Sequence, residues 1–219
     1  MWCTNSGARP ALCKACRKND LLPDHALTCS AARQTSLIVR HDTLRNLLIK
    51  RIGDAGIATI KEPLFREYAP LIEVHPDYKI SEVERPEVSD ATRDGTQKRY
   101  DFVMANIGGN PEAADVTVEH CFMDRSKNKH KELEFRYSQK LAHFGGRVTP
   151  LVISSSGEMH REFDAFIGRI ADAWEDSLPQ PSEDARKKFR RGLEDEILIS
   201  LQRTQAQAFL KHARSLSGA

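Results

Sequence analysis

Apolar residues recur at helical spacing in three stretches of the chain. The first runs from Leu37 to Ile52, and the second runs from about residue 129 to the Gly145-Gly146 pair. The third covers residues 158–174 and has an apolar face of Phe163, Phe166, Ile167, Ile170 and Trp174. Residues three and four apart lie on one side of a helix, so each stretch predicts an amphipathic helix that packs on a core.

Four shorter apolar runs have the length of β-strands. They cover residues 57–65, 99–105, 114–120 and 148–154. Gly-Gly-Asn-Pro at residues 108–111 separates the second run from the third, and this turn signal predicts that the two form a hairpin. Residues 66–97 contain three prolines and no sustained period, so we expect a long excursion there with one short strand near residues 71–74.

The predicted order from residue 37 is helix, strand, strand, strand, helix, strand, helix. This order is typical of an α/β fold in which helices flank a mixed sheet. We divide the chain into residues 1–35, which are rich in Cys and lack apolar periodicity, a core over residues 36–176, and an extension over residues 177–219. The extension follows a proline-rich break and predicts a basic helical stretch and then an amphipathic one.

The charge balance is nearly even, with 33 Lys and Arg residues against 31 Asp and Glu residues. The net charge of +2 does not indicate a nucleic-acid partner, so such a surface requires basic residues that are segregated in space. No apolar run approaches the length of a membrane-spanning helix, and the N-terminus lacks the features of a secretory signal. We therefore expect an intracellular protein in a reducing compartment, without a membrane partner.

Four of the five cysteines lie within the first 29 residues. Three of them join a histidine in the pattern Cys-x2-Cys-x8-His-x3-Cys, formed by Cys13, Cys16, His25 and Cys29. Four nitrogen and sulfur ligands are typical of a structural, tetrahedral zinc ion, which also gives this polar segment a means of folding. The alternatives are a chance grouping, or His41 as a substitute ligand.

Two acidic residues interrupt strand-like runs. Asp101 lies in Arg-Tyr-Asp-Phe-Val-Met and Asp115 lies in Ala-Ala-Asp-Val-Thr-Val, each seven residues from Gly108. A hairpin centred on Gly108 places them directly opposite one another, with Cβ atoms about 5 Å apart. Carboxylates this close repel one another, and a divalent cation such as Mg²⁺ relieves the repulsion. Alternatively, they cap edge strands or pair with arginines such as Arg99. Glu62, late in the first strand, is a candidate third ligand of the ion.

The zinc pattern is followed by Arg40-His41 near the start of a helix and then by the two aspartates. With Pro-Asp-His-Ala-Leu-Thr-Cys at residues 23–29 and Arg136-Tyr137 further on, the chain resembles the restriction-like endonuclease domain of site-specific non-LTR retrotransposons. The resemblance covers about residue 11 to about residue 214. It implies a PD-(D/E)xK core of αβββαβ order, with a mixed central sheet flanked by helices, an N-terminal zinc module, a structural Zn²⁺ and a catalytic Mg²⁺.

The chain departs from the family pattern at two places. Tyr100 stands where the family has proline before the first aspartate, and Thr117 stands where ordinary PD-(D/E)xK enzymes have lysine, two residues after Asp115. The family moves this lysine to the following helix. The family position is four residues before the tyrosine, and here it is Leu133. Of the nearby Lys129 and Lys131, Lys131 is the predicted catalytic lysine, with Lys140 as a further candidate. This lysine would hold the attacking water or neutralise charge on the phosphate.

Basic residues near these motifs are the predicted DNA contacts. Residues 125–131 form a basic stretch close to the predicted active edge, which we expect to grip the phosphate backbone. The basic residues that lead the first predicted helix would touch DNA or brace the zinc module. The predicted set is Arg40, His41, Arg45, Lys127, Lys129 and Tyr137. A second basic run, at residues 186–191, is equally typical of phosphate contacts and of a solvated helix face.

The resemblance implies a metal-dependent endodeoxyribonuclease that nicks one strand of a target duplex. The nick would prime reverse transcription, so double-stranded DNA, a reverse transcriptase domain and its RNA are the expected partners, and the nucleus is the expected compartment. Two other hypotheses stay open at this point. One is a non-catalytic, zinc-containing DNA-binding module, and the other is a junction resolvase or repair nuclease of the same fold.

Overall fold

A computed structural model describes residues 30–78, 97–105, 110–119 and 129–217. These residues form a mixed α/β structure in which helices cover both faces of a four-stranded sheet. The elements are α1 (Ser30–Asp54), β1 (Thr59–Lys61), α2 (Phe65–Tyr68), a 3-10 helix (Ala69–Leu71), β2 (Phe102–Met104), β3 (Glu112–Glu119), α3 (Lys129–His143), β4 (Thr149–Ser154), α4 (Arg161–Asp176) and α5 (Glu183–Ser217). In this part of the chain, no helix has both the length and the apolarity to cross a membrane.

The strands follow one another across the sheet in the order β1-β2-β3-β4. β1 pairs antiparallel with β2, and β2 pairs antiparallel with β3 in the register Phe102↔Ala114. This register is centred on residue 108, as the turn signal predicted. β3 and β4 are parallel, with Ala114 opposite Thr149, and α3 provides the crossover that two parallel strands require.

Alternation along the strands divides the core between the two faces of the sheet. One face meets α1, α4 and α5 through the buried side chains of Phe102, Met104, Ala114, Val116, Leu151 and Ile153. The other face meets α3 and α2 through Val103, Ala113 and Val152. Because both faces are covered, residues 149–154 are buried throughout, which explains why this strand is apolar at nearly every position.

The predictions for the second half of the core are confirmed. The helix predicted to end at the double glycine is α3, and Gly145 and Gly146 follow it with φ angles of 58° and 74°. Only glycine adopts two such angles in succession without steric cost, so the chain turns there into β4. The third predicted helix is α4, in whose first turn the N–H of Glu162 donates to the side chain of His160.

Two strand predictions for residues 57–74 are wrong in extent or in kind. The first strand covers only Thr59–Lys61, because Glu62 takes a φ of 52° and Pro63 follows it, which ends regular pairing. The strand expected near residues 71–74 is not formed; a 3-10 helix, Ala69–Leu71, occupies the start of that region. Pro70 lies in the first turn of that helix, where its missing N–H costs nothing.

The two ends of the described chain are more helical than predicted. α1 begins at Ser30 rather than at Leu37, so it includes the last residues assigned to the zinc module. The C-terminal part is one helix of 35 residues rather than two stretches. Its side chains Leu193, Ile197 and Leu201 are at most 1% exposed and lie in the same core as α1 and α4.

Candidate active site at the end of β2 and β3

Asp101 directly precedes β2, and Asp115 lies in β3 just after the residues that pair with β2. The pairing of the two strands ends at Phe102↔Ala114, and the N–H of Asp101 donates to the carbonyl of Ala114, the residue before Asp115. Both are buried, with 8% and 6% of their surface exposed. The backbone of Asp101 is held on both sides, because its N–H donates to Ala114 and its carbonyl accepts from Glu62. The backbones of Asp101 and Asp115 are therefore neighbours in the sheet, and the charge of Asp101 acts on the Asp115 carboxyl. That the two carboxylates share one metal ion stays a prediction.

The side chain of Asp101 accepts a backbone hydrogen bond that a neighbouring strand would otherwise accept. Its Oδ2 accepts a hydrogen bond of 2.6 Å from the N–H of Val116, in the part of β3 that β2 does not reach. Its Oδ1 lies 2.9 Å from Nε2 of His41 and 4.0 Å from Nη1 of Arg45. Both oxygens of this carboxylate are thus oriented by groups from α1 and β3.

Asp115 is held by a lysine from α3. Its Oδ2 lies 2.6 Å from Nζ of Lys140. Burial raises the pKa of the Asp115 carboxyl, and the charge of Asp101 adds to this effect while Lys140 opposes it. Burial by itself would lower the pKa of Lys140, but Asp115 and Asp101 outweigh it, so that pKa is raised. Lys140 therefore carries a positive charge at neutral pH.

The lysine that contacts Asp115 is Lys140, the further candidate, and not Lys131, the predicted one. Lys131 lies in the first turn of α3 and is exposed. Nine residues of helix separate it from Lys140, a distance of about 13 Å along the axis. Of the two candidate lysines, Lys140 is the one that contacts Asp115. Lys131 is thus not the lysine that meets the aspartates.

A second ion pair joins α3 and β3, one helical turn before Lys140. Nε of Arg136 lies 2.9 Å from Oε2 of Glu119. Arg136 and Lys140 are four residues apart on α3, and Glu119 and Asp115 are four apart on β3. The buried residues Leu133, Tyr137 and Leu141 orient α3 against the sheet, so the two basic residues follow from helical spacing. The four-residue offset from Arg136 is a signal that could have pointed to Lys140, but the sequence-based prediction favoured Lys131.

Glu62, the predicted third ligand, pairs with an arginine instead. Its Oε1 lies 2.7 Å from Nη1 of Arg45, and the same nitrogen is 4.0 Å from Asp101. Nη2 of Arg45 is 3.0 Å from Asp42. Arg45 therefore stands between Glu62 and Asp101 and fixes both acids in position. The carboxylate of Glu62 is half exposed and remains next to the site.

His41 belongs to α1, and its side chain contacts the part of β3 that does not pair with β2. Its Nδ1 is 3.1 Å from the carbonyl oxygen of Val116 and its Nε2 is 2.9 Å from Asp101. Both partners only accept hydrogen bonds, so both bonds form together only when the ring carries two protons. Burial lowers the pKa of His41, but the hydrogen bond and the charges of Asp101 and Asp115 outweigh it, so the net pKa is raised. His41 is therefore protonated more readily than a free histidine, because of the acids beside it.

Three of the predicted DNA contacts are buried side chains. Arg40 is 1% exposed and Arg45 is 7% exposed, so both brace the structure from inside α1 rather than face a duplex. Tyr137 is 2% exposed; its hydroxyl donates to Asp77 at 3.1 Å and its ring stacks on His160. Tyr137, which the resemblance linked with DNA, is thus part of the buried core between α3 and the sheet.

The remaining predicted site residues cannot be placed. The zinc ligands Cys13, Cys16, His25 and Cys29 lie outside the described residues, as does Lys127. Lys129 is the first residue of α3, and its side chain is not described. Among the residues that are described, no three His, Cys, Asp or Glu side chains are grouped closely enough to hold a metal by themselves.

The basic run at residues 186–191 is largely neutralised by neighbouring acids. Arg186 pairs with Asp172 at 2.6 Å, and Arg190 pairs with Asp164 at 2.6 Å and with Glu194 at 2.9 Å. This face of α5 therefore holds α4 through ion pairs. Comparison of the whole chain with protein-family models and with curated proteins finds no match to either.

Proposed function

We propose that this protein is a Mg²⁺-dependent DNA endonuclease of the PD-(D/E)xK type. The observation that carries the proposal is that Lys140 of α3 lies 2.6 Å from Asp115 of β3, while Asp101, which directly precedes the adjacent strand β2, acts on the same carboxyl through its charge. Two acids on adjacent strands and a lysine beside the second acid form the set that this chemistry needs. The αβββαβ order of the elements between α1 and β4 and the mixed sheet give further support.

The residues present fit a magnesium ion. Asp101 and Asp115 offer carboxylate oxygens, and the remaining positions of the ion are left to water and phosphate oxygens, which Mg²⁺ prefers to keep. Four carboxylates face two fixed cations, giving a formal charge of −2 with His41 neutral and −1 with His41 protonated; the acids are Asp42, Glu62, Asp101 and Asp115, and the cations are Arg45 and Lys140. A divalent cation would offset this excess.

Each residue then has a separate task. Asp101 and Asp115 hold the ion, which when bound polarises the phosphodiester and lowers the pKa of a bound water. Lys140 is cationic at neutral pH, so it stabilises negative charge on the phosphate and does not act as a general base. Arg45 keeps Glu62 and Asp101 apart and oriented. By the resemblance, the nick primes a reverse transcriptase on nuclear DNA, and the N-terminal Cys-Cys-His-Cys segment holds a structural zinc.

Nicking of supercoiled plasmid in Mg²⁺ tests this function. Wild type is expected to convert the plasmid to the open circle, while Asp101→Asn and Asp115→Asn lower the rate about a hundredfold or more because each removes a charged ligand of the ion. Lys140→Ala is expected to lower the nicking rate by a similar factor. Lys131→Ala, about 13 Å away along the same helix, is the matched control and is expected to keep most of its activity.

A non-catalytic DNA-binding module is the second candidate, and one observation favours it. His41, Arg45 and Lys140 already lie at the oxygens of the two aspartates, so the acids are compensated without a metal ion. This alternative prevails if plasmid stays intact over a wide range of Mg²⁺ and Mn²⁺ while the protein still binds DNA. Preferential cleavage of four-way junctions over linear duplex would favour a resolvase instead.

A further inference from the structure

A cavity of about 430 Å³ opens beside the two aspartates, between α1 and β3. It shares His41 and Lys140 with the candidate active site, and its other walls include Ile38, Thr117 and Val118. The side chain of Ile38 is exposed, at 53% of its surface, although it is apolar. An apolar wall thus continues directly from the groups that would hold a scissile phosphate.

One wall of the cavity is an open strand edge. β2 pairs only with residues 112–114, so within the described chain β3 has no strand neighbour on that side from Asp115 onwards. The N–H and carbonyl of Val116 are used by Asp101 and His41. The carbonyl of Glu119 faces β4, because it accepts from Ser155, so by alternation the polar groups of Val118 point to the open edge.

Thr117 adds a side-chain group to the same wall. Its Oγ1 is shielded from solvent and has no hydrogen-bond partner among the described residues. A buried hydroxyl without a partner costs free energy, which a ligand with a polar atom at that position would recover. The cavity therefore combines apolar surface, an unpaired hydroxyl, backbone donors and acceptors, and two ion-paired side chains of opposite charge, Lys140 and Asp42.

We propose that this cavity binds one unpaired nucleoside next to the phosphodiester that is cut, so that the preferred substrate is DNA with an unpaired nucleotide at the cleavage site. The inference rests on the proposed function. An apolar wall with polar groups at one edge suits a base and its sugar, and Lys140 suits the adjoining phosphate. A base inside a stacked duplex cannot enter such a cavity without leaving its pair, whereas an unpaired base enters at little cost.

Binding to two matched DNA duplexes tests the proposal. Both carry a fluorescein label; one is fully paired and the other has a single unpaired thymidine, and anisotropy is measured with Ca²⁺ in place of Mg²⁺ to prevent cutting. We expect the full-length protein to bind the second duplex about fivefold more tightly or better. Ile38→Trp fills the cavity and is expected to abolish this preference, and Thr117→Val to reduce it.

Val39→Trp is the matched control, because Val39 is an exposed neighbour on α1 that does not line the cavity. It is expected to keep the wild-type preference. Equal affinity of wild type for the two duplexes, or a preference that Ile38→Trp leaves intact, overturns the proposal. Plasmid nicking by the same preparation distinguishes the two hypotheses. Nicking without a preference for the unpaired duplex would support the nuclease and contradict the nucleoside site. A preference without nicking would support the nucleoside site and contradict the nuclease.

Discussion

At the residue scale, Asp115 is subject to opposing influences on its proton. Burial and the neighbouring Asp101 raise its pKa, while Lys140 lowers it, and the net shift is upward. Lys140 and His41 are also shifted upward, because each lies against a carboxylate. The cluster therefore retains protons more strongly than the same groups would in the unfolded chain.

This shift predicts a particular pH dependence of stability. A carboxyl with a raised pKa in the folded state contributes stability that is present at low pH and is lost as the pH rises through that pKa. In magnesium-free buffer, we expect the Tm of wild type to rise relative to that of Asp115→Asn as the pH falls from neutral towards 3.8, the ordinary carboxyl value. Circular dichroism melts at several pH values measure the difference. A difference that is constant with pH would contradict the assignment.

Tyr137 offers a second test at this scale. Tyr137→Phe keeps the ring that stacks on His160 and removes the hydroxyl that bonds to Asp77. We expect a loss of about 1 kcal/mol in the free energy of unfolding, measured by urea titration, with DNA affinity unchanged. The opposite result, weaker DNA binding at unchanged stability, would restore the tyrosine to the DNA interface that the resemblance implied.

At the element scale, α3 and β3 form the frame of the site. Lys140 of α3 pairs with Asp115 of β3, and Arg136 of α3 pairs with Glu119 of β3. The hairpin of β2 and β3 was predictable, since its register depends on a local turn and on alternation. The choice of lysine was harder, because residues 129–140 of α3 offer three lysines and only the packed face selects one.

The last helix, α5, is a structural part of the core. Ile197 is fully buried against α1 and α4, whereas Ile199, two residues on, is 45% exposed. Ile197→Ala is expected to lower the free energy of unfolding by about 2–5 kcal/mol through lost contacts and a cavity. Ile199→Ala, the matched control, is expected to change it by no more than about 0.5 kcal/mol. Equal effects in chemical denaturation would mean that α5 does not pack as described.

At the scale of the whole molecule, the N-terminal segment is predicted to carry its own metal. We expect one zinc ion per chain in purified wild type, measured by atomic emission, and less than half of that in Cys16→Ser and Cys29→Ser, since each removes one of four ligands. Cys121→Ser is the control, because Cys121 is not one of the predicted ligands, and it should keep the ion. A wild-type protein without zinc would contradict the ligand assignment.

The sequence determined the features that depend on local spacing. Helical period, strand alternation and the turn at residues 108–111 were sufficient for α3, β4, α4 and the register of β2 on β3. Glu62 and Pro63 shortened β1, because a local backbone angle overrode an apolar pattern.

The tertiary structure decided which distant groups meet. His41 reaches Asp101 across 60 positions of sequence, Arg45 inserts between Glu62 and Asp101, and Lys140 reaches Asp115 from another element. None of these pairs shares a turn or a strand register. They arise because burial of apolar residues on both faces of the sheet positions α1 and α3, and the charged side chains at the end of β3 then pair according to distance.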